Sequence, residues 1–96
     1  MDNLEYFIND RTKVLFILKE HSIEIDGVEI CPLNQVEIAK NLGCSKVKAN
    51  TLLRELINDG YIEAPQKGRY ILTPSAITII KKLEIGETLW FVKHIN

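Results

Sequence analysis

Apolar residues recur at helical spacing in the first fifth of the chain. Spacings of three and four residues predict a helix over about residues 3–20, which Asn9 and Asp10 could interrupt. The apolar positions of this stripe are Leu4, Phe7, Ile8, Val14, Leu15 and Leu18, widened by Phe16 and Ile17.

The pattern then changes to alternation in the segment SIEIDGVEICP. β-Branched residues alternate with acids on either side of Asp26 and Gly27, a dipeptide favoured in tight hairpin turns. This segment predicts either a small hairpin or a loop that ends in one strand near residues 29–31. Pro32 prevents a helix from running through.

Two helices with clear start and stop signals follow. Asn34 can cap the second helix and Glu37 can complete a capping box, which predicts a helix over about residues 35–42. Gly43 supplies a left-handed stop. Ser45 caps the third helix, and Gly60 ends it. The predicted packing faces are Val36, Ile38, Ala39 and Leu42 in the second helix, and Ala49, Leu52, Leu53 and Leu56 in the third.

The last third of the chain predicts a hairpin and a further helix. Residues 61–64 and 69–72 read as short strands joined by the turn sequence PQKG. Thr73 followed by Pro74 is a strong helix start, because proline at the first helical position lacks only an unpaired hydrogen. This helix should end near Gly86, before an apolar tail at 87–96. Its predicted inward residues are Ile77, Ile80 and Leu83.

The order of elements predicts a single α+β domain, mainly α, over residues 1–96, since 96 residues suffice for one modest core. The second and third helices are joined by about three residues that include glycine, which is the sequence form of a helix-turn-helix. The helix-turn-helix covers about residues 34–59, the hairpin about 61–72 and the additional C-terminal helix about 74–85.

Residues 37–62, EIAKNLGCSKVKANTLLRELINDGYI, resemble the core of winged helix-turn-helix domains in prokaryotic transcriptional regulators such as the MarR and GntR groups. The shared pattern includes Ile38-Ala39, Leu42-Gly43, the capping Ser45 and the buried Ala49. With the hairpin as wing and Thr73-Pro74, the resemblance covers about half of the chain. It implies a three-helix core with a small β-hairpin wing.

The resemblance also implies a DNA-binding surface. In such domains the third helix lies in the major groove, which admits one helix and presents a distinct pattern for each base pair. The wing contacts the phosphate backbone or the minor groove. The DNA-contacting residues that follow are Ser45, Lys46, Val47, Lys48, Asn50, Thr51 and Arg54 in the third helix and Lys67 and Arg69 in the wing.

Lys46 and Lys48 stand in the first turn of the third helix, where positive charge opposes the helix dipole. Positive charge at a helix start without a compensating partner in the sequence indicates a functional role for these lysines. The role expected here is contact with phosphates or guanine edges. Asn50 could read adenine, Thr51 a thymine methyl group or phosphate, and Arg54 guanine or the backbone. The competing interpretation is an ordinary solvated face, with Glu55 and Asp59 available to pair with nearby bases.

The net charge of −1 is unusual for a nucleic-acid binder, but the charge is unevenly distributed. Residues 1–43 carry four bases against eight acids, and residues 44–96 carry eight bases against five acids. This asymmetry predicts a face more positive than the total suggests. No apolar run is long enough to span a bilayer and the acidic start is unlike a targeting signal, which favours a cytoplasmic location and no membrane partner.

Enzymatic, metal and cofactor functions find no support in the sequence. It holds no glycine-rich phosphate loop, nucleophile motif or metal-ligand cluster, so we expect a protein that is not an enzyme and has no cofactor. Cys31 and Cys44 lack metal-ligand spacing and are expected to be buried free thiols.

The two ends of the chain carry more apolar residues than a winged core requires. A homodimer through these ends is one expectation, since two recognition helices about one DNA turn apart match a palindrome. Packing of the ends on each other within a monomer is the other. Two further functions stay open: a winged-helix module that binds protein in a larger assembly, and a replication protein of a mobile element. The residues expected at the dimer contact are Leu4, Phe7, Ile8, Leu89, Trp90 and Phe91.

Overall fold

The described part of the chain contains four helices and two β-hairpins, in the order helix, hairpin, two helices, hairpin, helix. The computed structural model describes the backbone of residues 9–94 and the side chains of residues 9–84. The elements are α1 (Asp10–Glu20), β1 (Ile23–Ile25), β2 (Val28–Ile30), α2 (Gln35–Leu42), α3 (Lys46–Asn58), β3 (Ile62–Gln66), β4 (Arg69–Leu72) and α4 (Pro74–His94). The mainly helical α+β architecture predicted from the sequence is confirmed.

Helix α1 begins at the break foreseen near residues 9 and 10. Asn9 has extended backbone, and its side-chain oxygen accepts a hydrogen bond of 2.9 Å from the Thr12 amide, which makes it the N-cap. The helix predicted over residues 3–20 is therefore confirmed from Asp10 onward. Leu4, Phe7 and Ile8 lie outside the described residues.

The helix-turn-helix follows the predicted capping signals. At the start of α2, the Asn34 side chain accepts from the Glu37 amide and the Glu37 carboxylate accepts from the Asn34 amide, both at 2.9 Å. Gly43 ends α2 with φ of 76°, a left-handed conformation that costs glycine no steric penalty. The Ser45 hydroxyl accepts from the Lys48 amide at 3.1 Å and caps α3. These contacts fix the angle at which α3 leaves the turn.

The two hairpins form separate two-stranded sheets, and an isolated bridge between Cys31 and Tyr70 connects them. Strand β1 pairs with β2 around Asp26 and Gly27, which settles the open alternative in favour of a hairpin. The second hairpin, the wing, pairs β3 with β4 antiparallel, with a bulge between Glu63 and Gln66. Its turn is shorter than the predicted turn of residues 65–68, because residues 65 and 66 belong to β3. Cys31 and Tyr70 exchange backbone hydrogen bonds of 2.8 and 3.0 Å between the hairpins.

The core lies between α1, α2, α3, the strands and the start of α4. All four predicted inward residues of α3 are buried, as are Ile38 and Ala39 of α2 and Ile80 of α4. The predictions for Val36 and Ile77 are wrong, since these side chains are 44% and 37% exposed. The remaining core residues are Val14, Leu15, Leu18, Ile30, Cys31, Ile62, Tyr70 and Ala76.

Helix α4 begins at Pro74, after Thr73 as predicted, but does not end near Gly86. The helix continues through this glycine to His94, so the separate tail predicted at 87–96 is replaced by helix as far as residue 94. A glycine inside a helix costs only about 1 kcal/mol relative to alanine, and the neighbouring glutamates and leucines are good helix formers. Within the described residues, no helix combines the length and apolar character that crossing a membrane requires.

Candidate nucleic-acid interface

The outward face of α3 consists of the residues that do not pack into the core. Because Ala49, Leu52, Leu53 and Leu56 are buried, the side chains between them point away from the protein. Ser45, Lys46, Val47, Lys48, Thr51 and Arg54 are exposed, and Asn50 is half-buried. The sequence therefore predicted the exposed face of α3 correctly, apart from Asn50.

Lys48 has a partner that the sequence analysis did not foresee. Its ammonium nitrogen lies 2.8 Å from Oδ2 of Asp10 in the first turn of α1. The hydrogen bond and the charge of Lys48 lower the pKa of Asp10, and the same contact raises the pKa of Lys48. Lys48 therefore does not stand uncompensated at the helix start, and that part of the sequence interpretation is wrong.

A second ion pair connects the same two helices. The Arg11 guanidinium lies 2.8 Å from Oε1 of Glu55, about two turns beyond Lys48 in α3. In the first pair α1 supplies the acid and α3 the base. In the second pair α1 supplies the base and α3 the acid. These two contacts hold the start of α1 along α3.

Asn50 is attached to α2 through its side chain. Gln35 Nε2 donates to Asn50 Oδ1 at 2.9 Å. Burial raises the pKa of the nearby Tyr70, and a hydrogen bond with the Gln35 side chain opposes that rise. Asn50, expected to read adenine, thus contributes to a polar group between α2, α3 and the wing. A bidentate contact with adenine would require its amide oxygen.

Thr51 also uses its hydroxyl within the helix. Its Oγ1 donates to the Val47 carbonyl at 3.1 Å, one turn earlier in α3. The hydroxyl donor is therefore occupied, while the methyl group of Thr51 belongs to an exposed side chain. Val47 itself is 77% exposed, the largest exposed fraction among the large apolar residues described.

The wing approaches α3 across two adjoining clefts. One, of about 200 Å³, is lined by Lys46 of α3, the wing residues Lys67 and Gly68, and Val36. The other, of about 260 Å³, is lined by Arg54, Asn50 and Lys67 among others. Lys67 borders both clefts, so the structure brings it together with Lys46 and Arg54. Arg69 is exposed on β4 opposite Gln66 and borders neither cleft.

Gln35 and Asn34 are residues of this region that the sequence analysis missed as site residues. Both border the cleft of about 200 Å³, at the first turn of α2. Their assignment as cap and first helical residue was the available signal, because the amide groups of a helix N-terminus attract anions. Among the residues that the structure describes, no ion pair includes Lys46, Arg54, Lys67 or Arg69. The same part of the chain holds no group of three or more potential metal ligands.

No family model matches the chain, and no curated protein matches it. Among solved structures, MepR, a transcription regulator of the Staphylococcus aureus multidrug efflux pump MepA, is 28% identical with a TM-score of 0.61, and the match covers 90% of this chain and 67% of MepR.

Two further solved structures share the fold at lower identity. A transcriptional regulator from Thermotoga maritima is 21% identical with a TM-score of 0.65, and the match covers 95% of this chain and 61% of that protein. The reduced CO-sensing protein from R. rubrum is 21% identical with a TM-score of 0.66, and the match covers 84% of this chain and 37% of that protein. This chain thus corresponds to only part of these proteins.

The likeness confirms the fold expected from residues 37–62. The chain adopts the winged helix-turn-helix fold of prokaryotic transcriptional regulators, with α2 and α3 as the helix-turn-helix and the β3–β4 hairpin as the wing. MepR and the Thermotoga maritima protein are regulators of transcription.

Proposed function

We propose that this protein binds double-stranded DNA sequence-specifically and regulates transcription. In this proposal α3 lies in the major groove and the wing contacts the phosphate backbone. The observation that carries it is the position of Lys67 of the wing, which borders one cleft with Lys46 and an adjoining cleft with Arg54. None of these three cations is neutralised by an ion pair within the described residues.

The direct contacts follow from the geometry of the exposed face. Residues at the start of a recognition helix reach base edges, so Lys46 and Val47 contact bases and Arg54 contacts a base or the backbone. Lys67 and Arg69 neutralise phosphates. Lys48 and Asn50, paired with Asp10 and Gln35, act first by holding α3 in place. Ser45 acts as the cap of α3, whose exposed first turn faces the DNA.

We further propose that the protein acts as a homodimer and that it acts in a prokaryotic cytoplasm. Regulators that bind palindromes use two copies of the recognition helix about one DNA turn apart. We assign the contact to Leu4, Phe7, Ile8, Leu89, Trp90 and Phe91, whose side chains lie outside the described part of the structure. The last three belong to the distal half of α4. The protein is not proposed to be an enzyme, and it requires no cofactor for binding.

Selection from a random duplex library at two salt concentrations tests the proposal. Wild type should enrich one sequence, and a palindrome with half-sites about 10 base pairs apart would support the dimer. The Lys46→Ala, Arg54→Ala double variant should lose that enrichment, and Lys67→Ala should weaken binding to all sequences while reducing the salt slope by about 0.9.

A Lys81→Ala, Lys82→Ala double variant provides the matched control. It removes two exposed positive charges from α4, which packs against α1 and β4. This control should retain the enriched sequence. Equal, weak and sequence-independent binding by wild type and both double variants would refute the assignment of α3 as the recognition helix.

A protein-binding module is the second candidate, supported by an apolar depression beside the end of α3. Ile57, 38% exposed, borders it together with Ala64, Pro65 and Ile71, and its volume is about 600 Å³. Exposed apolar patches of this kind serve as contacts with other proteins. If the library selection yields no sequence, this surface is the next one to test, with Ile57→Glu as the variant that should abolish partner binding.

A further inference from the structure

We infer that Val47 and Thr51 recognise thymine methyl groups, so that the preferred DNA half-site contains thymine opposite the start of α3. This specificity rests on the DNA binding proposed above. It assigns the discrimination between bases to an apolar contact made by two side chains, with the surrounding cations supplying affinity. Methyl recognition in the major groove is the chemistry that distinguishes thymine from every other base in unmodified DNA.

The geometry of α3 places the two side chains together. Val47 and Thr51 are four residues apart, which puts them on the same side of the helix one turn from each other. The Thr51 hydroxyl donates to the Val47 carbonyl at 3.1 Å, so it has no free donor for a base edge. What the pair offers to an approaching surface is the isopropyl group of Val47 and the methyl group of Thr51.

The packing of the described residues does not explain the presence of Val47. It is 77% exposed and therefore adds almost nothing to the hydrophobic core. Valine is also a poorer helix former than the lysines on either side of it, because its branched side chain loses rotamer freedom in a helix. An exposed apolar side chain at the start of α3 contributes favourable free energy only when another apolar group covers it and removes it from water.

The surrounding charge favours DNA as the molecule that covers this pair. Lys46 precedes Val47, Arg54 follows Thr51 by one turn, and Lys67 of the wing borders clefts with both cations. The acid nearest in α3, Glu55, is paired with Arg11 at 2.8 Å. An apolar patch framed by cations that form no ion pair among the described residues suits a polyanion with exposed methyl groups in its groove. Thymine-containing duplex DNA is such a polyanion.

The other polar residue of this face is less available for reading bases. Asn50 Oδ1 accepts from Gln35 Nε2 at 2.9 Å, and adenine recognition by asparagine needs both the oxygen and the nitrogen of the amide. Discrimination between bases at the start of α3 is therefore left to Val47 and Thr51, and the adjacent Lys46 supplies affinity.

Replacing thymine by deoxyuridine in the selected duplex, one position at a time, tests the inference. Deoxyuridine lacks only the C5 methyl group, so hydrogen bonding and charge are unchanged. Wild type should lose about fourfold in affinity at each contacted position, the value for about one buried methyl group. Fluorescence anisotropy at constant salt measures the dissociation constants.

Two conservative variants assign the effect to the named side chains. Thr51→Ser keeps the hydroxyl that donates to the Val47 carbonyl and removes the methyl group alone. Val47→Ala removes the exposed branched side chain and should not weaken the helix. Each variant should bind the thymine duplex less tightly than wild type and should no longer respond to deoxyuridine at one position. Ile77→Ala, which trims an exposed aliphatic side chain on α4, should respond as wild type does.

The outcomes separate this inference from the proposed function. Sequence-specific binding with no response to deoxyuridine at any position would overturn methyl recognition and leave DNA binding standing. An equal response by wild type and both variants would show that other residues contact the methyl groups and would also overturn it. Absence of binding to every duplex would refute the proposed function and this inference together.

Discussion

Lys48 at the start of α3 is ion-paired with Asp10 at the start of α1, with 2.8 Å between Nζ and Oδ2. The pair joins a residue that the sequence predicted to contact DNA to α1, a helix that packs against α3. Both side chains are about half exposed, so water and salt weaken the attraction and either partner can change. Asp10 therefore competes with a DNA phosphate for the ammonium group of Lys48.

Asp10→Asn should increase DNA affinity and steepen its salt dependence. The substitution frees Lys48 to neutralise a phosphate, and each added phosphate contact increases the magnitude of the slope of log K against log salt by about 0.9. Titrations at four salt concentrations provide this slope. Asp26→Asn removes the same charge from the β1–β2 turn and should leave the slope as in wild type. An unchanged slope for Asp10→Asn would mean that Lys48 does not contact DNA.

The stability contributed by the Asp10–Lys48 pair should depend on pH in a defined window. The pKa of Asp10 is lowered from 3.8, so its contribution is present above that value and is lost as pH falls through the lower folded-state pKa. The pKa of Lys48 is raised from 10.5, so its contribution is present below that value and is lost as pH rises through the higher folded-state pKa.

Urea unfolding of wild type and Asp10→Asn across pH measures this contribution. The difference between their midpoints should be small and constant near neutral pH, and it should disappear at both extremes. It should also shrink in 1 M salt, because both partners are exposed. A difference that grows on acidification would contradict the pair as its source.

Gly43→Ala should destabilise the protein by about 1 kcal/mol, because alanine pays for a left-handed conformation that glycine adopts freely. An added Cβ at Gly43 would meet no atom within 4 Å, so the cost is conformational and not steric. Gly43→Asn should cost less, since asparagine tolerates this conformation. Urea unfolding compares the three proteins, and equal stability of wild type and Gly43→Ala would be evidence against a left-handed turn.

The two thiols should react at very different rates in the native protein. Cys31 is fully buried, and burial raises the pKa of its thiol, so both access and ionisation disfavour reaction. Cys44 is only half-buried, in the turn before α3, and its Sγ donates to the Ser45 carbonyl at 3.3 Å. A thiol reagent such as DTNB should modify one equivalent rapidly and the second only after unfolding. Cys44→Ser should abolish the rapid phase, and a fast phase that persists would contradict the burial of Cys31.

Local signals in the sequence predicted most of the fold because each acts over a few residues. The Asn34–Glu37 capping box, the left-handed Gly43 and the Ser45 cap each depend on contacts within three or four positions. Helical spacing likewise identified the buried residues of α3. The prediction for Cys44 as a buried thiol is wrong, since burial in a turn depends on how neighbouring elements pack.

The parts of the candidate site that the sequence did not predict depend on contacts between distant residues. The Asp10–Lys48 pair spans two helices, and the Gln35–Asn50 hydrogen bond depends on the angle between α2 and α3. Val36 satisfied helical spacing but lies beside the wing, where it borders a cleft. Gly86 was read as a helix end from its residue type, whereas the residues on both sides continue the helix.

Under the proposed function, the Cys31–Tyr70 bridge would influence how the protein responds to the shape of DNA. Tyr70 of the wing exchanges two backbone hydrogen bonds with Cys31, and Gln35 of α2 donates a hydrogen bond to Asn50 of α3. These contacts restrain the position of the wing relative to α3. A protein whose wing and α3 keep a constant separation binds best to duplexes with a matching distance between the phosphate backbone and the base edges of the major groove. Groove width and bendability would then influence affinity at base pairs that no side chain touches.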